Sequence, residues 1–279
     1  LMLNPRDPTI VANKSAMKSF ENSKTDFEIF SGLAKKLGFL ESFTDNKSEM
    51  DWIKFIWDKS SKAYKKTYKE SDLSLPSFEE FWEKGYFEVP APRIEKIMFD
   101  KFRRDPSRFP LQTPSGKIEI SSDTISSFQL PDCHSHPYWF EPYEWLGNVD
   151  EYPLHLISNQ PTHRLHSQLD NAEMSQKNKI HGKEPVMINS KDASDRDIKN
   201  GDIVLLYNAR GKVLAGAKIS DNIMPGVVVL STGAWFDPDY DLNIERHGNP
   251  NVLTKDVGTS SLGQGPTCHT TLVELKKTS

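Results

Sequence analysis

The stretch Ile203-Val204-Leu205-Leu206-Tyr207-Asn208-Ala209-Arg210-Gly211-Lys212-Val213-Leu214-Ala215-Gly216-Ala217 decides the fold class of the second half of the chain. It consists of two short apolar runs on either side of a polar segment that ends in Gly211. Glycine accepts a positive φ at little cost, so this pattern predicts a β-hairpin. Asn200-Gly201-Asp202, just before it, indicates another tight turn.

Further short apolar runs lie on both sides of this hairpin. They are Leu154–Ile157, Val186–Ile188, Val227–Leu230 and Thr271–Leu275. Six short strands separated by turns predict a mostly-β domain over residues 152–279, either a closed barrel or a sandwich. Between two of the strands, Ser190 to Asp197 predicts a short helix with Ser190 as its cap.

Residues 1–100 show a helical, aromatic-rich pattern instead. Apolar side chains recur at three- and four-residue steps at Phe27, Ile29, Phe30, Leu33, Ala34 and Leu37. Such spacing predicts an amphipathic helix that Gly38 ends, and Ser77 with Glu80 predicts a capped helix start. Thr113 to Gly116 indicates a turn followed by a strand over 117–120. Residues 129–151 are rich in proline, histidine and aromatic residues without periodicity, so we place a linker there.

Composition excludes several classes of protein. The 279 residues have a formal net charge of −4, from 35 basic and 39 acidic residues, which argues against a nucleic-acid or anionic-membrane surface as the main partner. No apolar run approaches the roughly 20 residues that a membrane helix needs. Two cysteines are too few for a disulfide framework or an iron–sulfur cluster. The first residue is leucine and no leader pattern is present, so we expect the natural start to lie upstream.

The densest polar cluster follows the Leu154–Ile157 strand directly and spans residues 158–168. Arg164 offers a planar donor fork suited to phosphate, and nearby amides and imidazoles can hydrogen-bond the edges of a base or a pterin. The segment therefore suits a large polar ligand with phosphates. The competing interpretation is a solvated loop that caps the next helix.

Two more segments, 247–251 and 258–269, are candidate ligand loops. The second is glycine-rich, and glycine lets backbone N–H groups approach a phosphate closely, although such a loop is also common as a plain turn. It lacks the Gly-Lys-Ser/Thr ending of a P-loop, and no Gly-x-Ser-x-Gly hydrolase motif occurs in the chain. Cys133-His134-Ser135-His136 departs from zinc-site spacing, so we predict no metal site there.

Several segments in combination resemble the molybdopterin-dinucleotide-binding domain of the dimethyl-sulfoxide-reductase family. They are Tyr152 to Leu169, Lys199 to Val204, Arg210 to Ala217, Pro225 to Pro238 and His247 to Pro266. Upstream, Asp26 to Phe30, Leu37-Gly38 and Phe109 to Glu119 resemble the stretch that precedes this domain. The resemblance extends over nearly the whole chain and identifies it as the C-terminal portion of such an enzyme.

The resemblance implies an α+β chain in which residues 152–279 form a six-stranded double-psi β-barrel and residues 1–128 are part of a larger α/β domain. It implies a bis(molybdopterin guanine dinucleotide) molybdenum cofactor that takes the oxygen of an S-oxide or N-oxide. The residues that it assigns to the cofactor are Ser158, Asn159, Gln160, Pro161, Arg164, His166, Ser167, Gln168, Asn249, Asn251, Gln264 and Gly265.

The metal ligand is expected upstream, in the remainder of the same polypeptide, so no catalytic or metal residue is assigned here. The expected partners are the dinucleotide, that remainder, a small S- or N-oxide and a cytochrome as candidate electron donor. The compartment, periplasm or cytoplasm, is left open. Two alternatives stay open as well: a formate dehydrogenase or nitrate reductase fragment, and a non-catalytic barrel that serves as a binding module.

Overall fold

Strands and helices of the chain form two separate groups. The computed structural model describes residues 2–3, 7–67, 75–89, 97–149 and 151–278. They divide into two compact units, residues 1–105 and residues 106–279. The division precedes the linker predicted at 129–151, so that segment falls within the second unit. Its bounds stay a prediction, and its residue Asp150 lies outside the described residues.

Helices and strands alternate irregularly along the chain. The helices are α1 (Asp26–Lys36), α2 (Leu40–Thr44), α3 (Glu49–Thr67), α4 (Phe78–Lys84), α5 (Asp100–Arg104), α6 (Asp123–Ser127), α7 (Glu173–Asn178) and α8 (Ser190–Ser194). The strands are β1 (Met2–Leu3), β2 (Thr9–Val11), β3 (Tyr86–Glu88), β4 (Leu154–Ile157), β5 (Pro185–Ile188), β6 (Ile203–Tyr207), β7 (Lys212–Ile219), β8 (Val227–Leu230), β9 (Pro238–Asp239), β10 (Ile244–Glu245) and β11 (Thr271–Lys277). None of the described helices has the length and apolar character that a membrane crossing requires.

Helices α1 and α4 of the first unit begin with reciprocal caps. The Thr25 hydroxyl accepts from the Glu28 N–H at the start of α1, and the Glu28 carboxylate accepts from the Thr25 N–H. Ser77 and Glu80 form the same arrangement at α4, as the sequence predicted. Each pair satisfies two donors that a helix start would otherwise leave open.

The first unit packs around the Trp57 indole, which stacks on Phe81 with ring centroids 3.9 Å apart. A three-stranded sheet, in the order β1-β2-β3, completes the unit. The predicted amphipathic helix is present as α1, but its apolar stripe is mostly exposed: of that stripe only Ala34 is buried. The core of the first unit therefore leaves most of the apolar side chains of α1 exposed.

A closed six-stranded barrel dominates the second unit. Its strands follow the order β5-β8-β4-β11-β6-β7, and β7 pairs again with β5 to close the ring. The pairs β4–β8 and β5–β7 are parallel, and the other four are antiparallel. The sequence pattern left a barrel and a sandwich open; the structure is a closed barrel with six strands, as the family resemblance implied.

Burial of the strands explains their sequences. All four residues of β8 are buried, and β4 alternates buried and half-buried positions, which fits one face turned to the barrel interior. The interior is filled by aliphatic side chains such as Leu156, Ile188, Leu206 and Val273. Such residues have few preferred side-chain conformations and stabilise the barrel by burial of apolar area.

Hairpin β6–β7 turns where the sequence predicted, at Asn208 to Gly211. The Asn208 N–H donates to the Gly211 carbonyl at 3.1 Å. Its buried side-chain amide donates to the carbonyls of Leu253 (2.9 Å) and Leu272 (3.1 Å). One turn residue therefore also ties the hairpin to two distant segments of the barrel unit.

Two local predictions need correction. The turn at Thr113 to Gly116 is present, but residues 117–120 form no strand, and Ile118 and Ile120 are exposed. The Thr113 hydroxyl donates to the Lys117 carbonyl at 2.6 Å, and residues 117–120 pair with no strand of the described chain. Helix α8 is capped by Asn189 rather than Ser190, because the Asn189 side chain accepts from the Lys191 N–H at 3.0 Å, and the helix ends at Ser194.

Candidate cofactor-binding site

Parallel pairing of β4 and β8 brings the carboxyl ends of both strands to the same end of the barrel. The segment after β4 is residues 158–168 (loop A), and the segment after β8 is residues 231–237 (loop B). The Asn159 carbonyl accepts from the Thr232 N–H at 3.0 Å, and the Asn159 side chain accepts from the Ser231 hydroxyl at 2.8 Å. Loops A and B are thus joined directly at the strand ends.

Glycine at position 233 allows an unusually close approach of the two loops. Gly233 has φ +96°, and a Cβ placed there would lie 1.8 Å from the His166 carbonyl oxygen. His166 itself has a φ of +49°. Because any side chain at Gly233 would collide with backbone, loop A can adopt this course only beside a glycine.

Residues 245–251 (loop C) complete the group, organised by the buried carboxylate of Glu245. It accepts four backbone N–H groups, from Asp237 (3.1 Å), His247 (3.0 Å), Gly248 (2.7 Å) and Asn249 (2.7 Å). The Asn249 amide donates in turn to the Ala234 carbonyl in loop B at 3.0 Å. Loops A, B and C therefore form one continuous hydrogen-bonded surface.

Beneath the loops lies a buried ionic cluster formed by Arg164, Asp170, Lys179 and Glu184. The Arg164 guanidinium holds Glu184 through two contacts of 2.9 and 3.0 Å, and donates to the Thr232 carbonyl at 2.8 Å. The Lys179 ammonium lies 2.8 Å from Asp170 and 3.6 Å from Glu184. The cluster balances two cations against two carboxylates, which is the condition for burying all four.

Electrostatics and hydrogen bonding fix the protonation of this cluster's edge. Burial raises the pKa of Asp170, but the hydrogen bonds from Lys179 and the Trp235 N–H lower it by more. The pKa of Asp170 therefore lies below its ordinary value. His247 Nδ1 lies 2.9 Å from the Trp235 carbonyl, and its Nε2 lies 2.8 Å from Lys179. A carbonyl only accepts and an ammonium only donates, so this geometry assigns the Nδ1–H tautomer.

From the sequence we expected the Arg164 fork to meet a phosphate; that assignment stays a prediction, and the structure shows the fork turned inward. Its side chain is completely buried, and its planar fork faces Glu184 and Thr232 instead of open solvent. One donor, Nε–H, has no partner in the described chain. A buried guanidinium used in this way positions loop A from behind, and a phosphate cannot reach its fork without rearrangement of the cluster.

The other predicted site residues differ in exposure. Exposed are Asn159, Gln160, His166, Ser167, Gln168, Asn251 and Gln264; partly buried are Pro161, Asn249 and Gly265; buried are Ser158 and Arg164. The backbone N–H groups of Gln160, Thr162 and His163 donate to no other described residue. Free N–H groups, hydroxyls and amides form the donor set that a phosphate-bearing heterocycle requires, so loops A to C fit such a ligand.

Residues 258–269 (loop D) lie apart from this group in their described contacts. Gly258 pairs with Pro266, and the Gln264 amide donates to the Ser260 carbonyl at 3.0 Å, which makes a self-contained turn. Ser261 fastens the turn to the Asp132 carboxylate through its N–H at 2.7 Å. The assignment of Gln264 and Gly265 to the cofactor stays a prediction.

Sequence reasoning missed loop B and most of the buried ionic cluster. Loop B was part of the family resemblance, but it received no site role because Ser231 to Asp237 contains few charged or amide groups. A parallel β4–β8 pairing would have signalled it, since parallel neighbours end at the same edge. Glu184, which directly precedes β5, and Glu245 are isolated acidic residues whose burial no local pattern predicts.

The Cys133 to His136 segment forms part of an aromatic group. His134 stacks with Phe140 at 5.3 Å, and both cysteines of the chain are free. Within the described residues no three His, Cys, Asp or Glu side chains are grouped closely enough to hold a metal ion. The segment therefore packs through His134 into an aromatic group within residues 134–140.

Comparison with known proteins identifies the barrel. Residues 154–272 match the family model described as "Molydopterin dinucleotide binding domain". Trimethylamine-N-oxide reductase of Salmonella typhi is 46% identical over 96% of this chain and 32% of its own length. Biotin sulfoxide reductase of Cereibacter sphaeroides is 41% identical over 98% of this chain and 36% of its own length.

A solved structure shows the same fold at low identity. Acetylene hydratase from Pelobacter acetylenicus superposes with a TM-score of 0.70 and 15% identity, over 97% of this chain and 35% of that one. The chain spans about a third of the length of the curated relatives it matches. Residues 154–272 belong to the molybdopterin dinucleotide binding domain family, and the chain is homologous to the C-terminal portion of trimethylamine-N-oxide and biotin sulfoxide reductases.

Proposed function

We propose that loops A, B and C hold one molybdopterin guanine dinucleotide of a bis(molybdopterin guanine dinucleotide) molybdenum centre. The observation that carries this proposal is the convergence of the three loops at the end of the barrel where β4 and β8 both terminate. Strand-end loops on a rigid scaffold are where proteins commonly present ligand-binding groups. The family match over residues 154–272 supports the class of ligand.

Roles within the site follow from exposure. The free N–H groups of Gln160, Thr162 and His163 would bind phosphate oxygens, because backbone donors carry partial positive charge and need no side-chain ordering. The exposed amides of Gln168 and Asn251 would read the edges of the heterocycles. Arg164 would act indirectly, by holding loop A against loop B through Glu184 and Thr232.

For the whole polypeptide we propose reduction of an S-oxide or an N-oxide. The names of the relatives, which include trimethylamine-N-oxide, biotin sulfoxide and dimethyl sulfoxide reductases, support this reaction class. The bound molybdenum cofactor supplies the oxygen-atom and two-electron chemistry, while the residues of this chain bind and orient it. The metal ligand and the substrate pocket are assigned to the rest of the polypeptide, and a cytochrome is a candidate electron donor.

The exposed apolar stripe of α1 supports a further part of this proposal. Ile29, Phe30 and Leu33 are each about half exposed on a helix whose spacing predicts burial. Contiguous exposed apolar area commonly marks an interface. We assign this stripe to packing against the rest of the same polypeptide, which makes residues 1–128 part of a larger domain.

Cofactor content of the full-length protein tests the proposed function. Arg164→Ala should lower the guanine, pterin and molybdenum content per polypeptide, because loop A loses its anchor. Arg196→Ala is the matched control: its guanidinium pairs with Glu274 at 2.7 Å in the same unit, and Arg196 contacts none of loops A to C in the described chain. The exposed double variant Gln168→Ala, Asn251→Ala should lower content without a change in thermal midpoint, because neither side-chain amide makes a hydrogen bond within the described residues.

Two outcomes would overturn the proposal: full cofactor content in both the Arg164 and the double variant, or absence of a pterin from the wild-type protein. Assays with reduced viologen distinguish the reaction classes. Turnover of trimethylamine N-oxide, dimethyl sulfoxide or biotin sulfoxide supports the oxide reductase. Turnover of nitrate or formate alone would favour the alternative subgroups, and a loaded protein without any turnover would favour a binding module.

A further inference from the structure

Loop B contains a tryptophan whose side chain is held rigidly yet is about half exposed. We propose that the Trp235 indole is a stacking platform for a flat, fused two-ring heterocycle of the bound dinucleotide. This inference rests on the proposed function and adds a residue and a ligand moiety to it. Trp235 is 48% exposed and lies beside loops A and C.

Three hydrogen bonds, with Ser167, Asp170 and His247, fix the position of Trp235. Its indole N–H donates to the Ser167 carbonyl at 2.8 Å, and its backbone N–H donates to Asp170 at 3.1 Å. Its carbonyl accepts from His247 Nδ1 at 2.9 Å. An aromatic ring already ordered in this way loses little side-chain entropy when a ligand stacks on it.

Trp139 shows what an ordinary exposed tryptophan of this unit looks like. It is 68% exposed, and its indole N–H reaches only Glu141, two residues away, at 3.2 Å. Trp235, in contrast, joins residues that are far apart in sequence. The difference indicates that the orientation of the Trp235 ring is specified by the fold.

The surroundings of Trp235 suit a heterocycle more than an aliphatic side chain. The indole is anchored to Ser167, and the next residue, Gln168, has an exposed amide that no hydrogen bond engages within the described chain. An amide has both a donor and an acceptor, which matches the 2-amino-4-oxopyrimidine edge that guanine and pterin share. Stacking supplies affinity for any such ring, and the amide supplies selectivity.

Gly233 places the platform. Its close approach to the His166 carbonyl draws loop B onto loop A, two residues before Trp235. The buried carboxylate of Asp170 then receives the Trp235 N–H from below. The platform is therefore built into the joint between loops A and B, and loop A also carries the free N–H groups proposed for phosphate.

Two classes of probe test the platform in full-length protein made in a host that cannot synthesise molybdopterin. Guanosine monophosphate and 6-hydroxymethylpterin are each titrated by calorimetry, and the probe that responds to the variants identifies the stacked ring. Trp235→Leu should weaken binding of one probe by about 5- to 100-fold, the loss expected when one aromatic stacking partner is removed. Trp235→Phe keeps a ring and should bind within about threefold of wild type on the same basis.

Trp139→Leu is the matched control and should leave both affinities unchanged. Thermal midpoints establish that Trp235→Leu is folded, and the Trp235→Phe result separates loss of the ring from loss of the indole hydrogen bond. A second readout is the guanine and pterin content of the protein made in a molybdopterin-producing host, which should fall in Trp235→Leu and not in Trp139→Leu.

Unchanged affinities and unchanged content in Trp235→Leu would overturn the platform, and would mean that the rest of the polypeptide covers the indole. If the Gln168→Ala, Asn251→Ala double variant lost cofactor in the same experiment, the proposed function would stand without the platform. If wild-type protein bound neither probe and contained no pterin, the proposed function and the platform would both be overturned.

Discussion

Arg164 joins three segments from inside the protein. Its guanidinium contacts Glu184 ahead of β5 and the Thr232 carbonyl in loop B, while its own backbone belongs to loop A. Burying a salt bridge is expensive in desolvation, so the cluster is better understood as fixing geometry than as adding net stability. Removal of one partner would leave an uncompensated buried charge, which typically costs about 3–5 kcal/mol.

Gly233→Ala, compared with a second glycine variant, should separate the effect of the close approach from that of backbone strain. The new Cβ would meet the His166 carbonyl at 1.8 Å, so loops A and B must move apart. We expect a loss of stability above about 2 kcal/mol, since both a clash and a positive φ are introduced, together with a loss of cofactor. Urea unfolding and guanine content measure the two effects.

Gly201→Ala is the control for this substitution. Gly201 has a similar φ of +91°, but nothing lies within 4 Å of a Cβ placed there. The strain alone should cost about 1 kcal/mol. Equal stability loss in the two variants would show that the close approach at Gly233 has no energetic weight.

Glu144 should give the barrel unit a defined pH dependence. Burial raises its pKa, but hydrogen bonds from Arg210, the Leu272 N–H and Lys255 lower it more, from 4.5 to about 2. Because the folded-state pKa is depressed, the stabilisation is complete above about pH 4.5 and is lost as the pH falls toward 2. A fall of this size corresponds to about 3 kcal/mol at neutral pH as an upper bound.

Glu144→Gln should therefore destabilise the protein at pH 7 and match wild type near pH 2, as measured by urea unfolding across this range. Glu173→Gln is the control, because Glu173 pairs with Lys177 on the surface with 81% of its side chain exposed. Its effect should stay below about 0.5 kcal/mol. A pH-independent difference between wild type and Glu144→Gln would contradict the assignment.

At the scale of elements, the strands were predictable and their partners were not. All six barrel strands lie where short apolar runs lie, because burial on the interior face selects such residues. Pairing depends on contacts between runs that are distant in sequence, so the parallel neighbours β4 and β8 had no local signature. Loop B was missed for the same reason, since its site role comes entirely from that pairing.

Asn208→Asp tests whether one turn residue holds the barrel together. The substitution removes the amide that donates to the Leu253 and Leu272 carbonyls and places an anion against both. We expect a destabilisation of about 3 kcal/mol, the cost of unsatisfied buried polar groups with added repulsion. Asn222→Asp, at an exposed position, should change stability by less than about 0.5 kcal/mol.

Unfolding in urea at neutral pH measures both asparagine variants. A native-like midpoint for Asn208→Asp would mean that water, and not the Asn208 amide, satisfies the two carbonyls. In that case the hairpin would be coupled to the rest of the barrel by apolar packing alone.

At the scale of the whole molecule, the chain carries the proposed cofactor site, and the centre that uses the cofactor is proposed to lie in the rest of the polypeptide. The candidate site residues could be listed from the sequence because their segments resemble the family's motifs, and the amides and hydroxyls of loops A and C are consistent with that list. Their depth could not, and Arg164 turned out to be fully buried. Glu184 and Lys179, which belong to the cluster that compensates the buried charge, are separated from Arg164 along the chain and share no sequence pattern with it.

This division predicts the behaviour of the chain alone. The 279-residue polypeptide should show no turnover of trimethylamine N-oxide or dimethyl sulfoxide with reduced viologen, because the metal ligand and substrate pocket are proposed to lie elsewhere. Full-length protein assayed in parallel is the positive control. Measurable turnover by the chain alone would place the catalytic centre within it and refute the assignment.

The position of β11 in the barrel has a consequence for the time course of biosynthesis. This strand, Thr271–Lys277, lies between β4 and β6, so each of them lacks one neighbour until it arrives. A ribosome makes β4 long before β11, and a ring closed by such distant pairs is slow to form. During synthesis of nearly all of the barrel, loop A therefore follows a strand that still lacks one of its neighbours. We expect cofactor insertion to follow completion of the barrel, and the incomplete barrel to need protection until then.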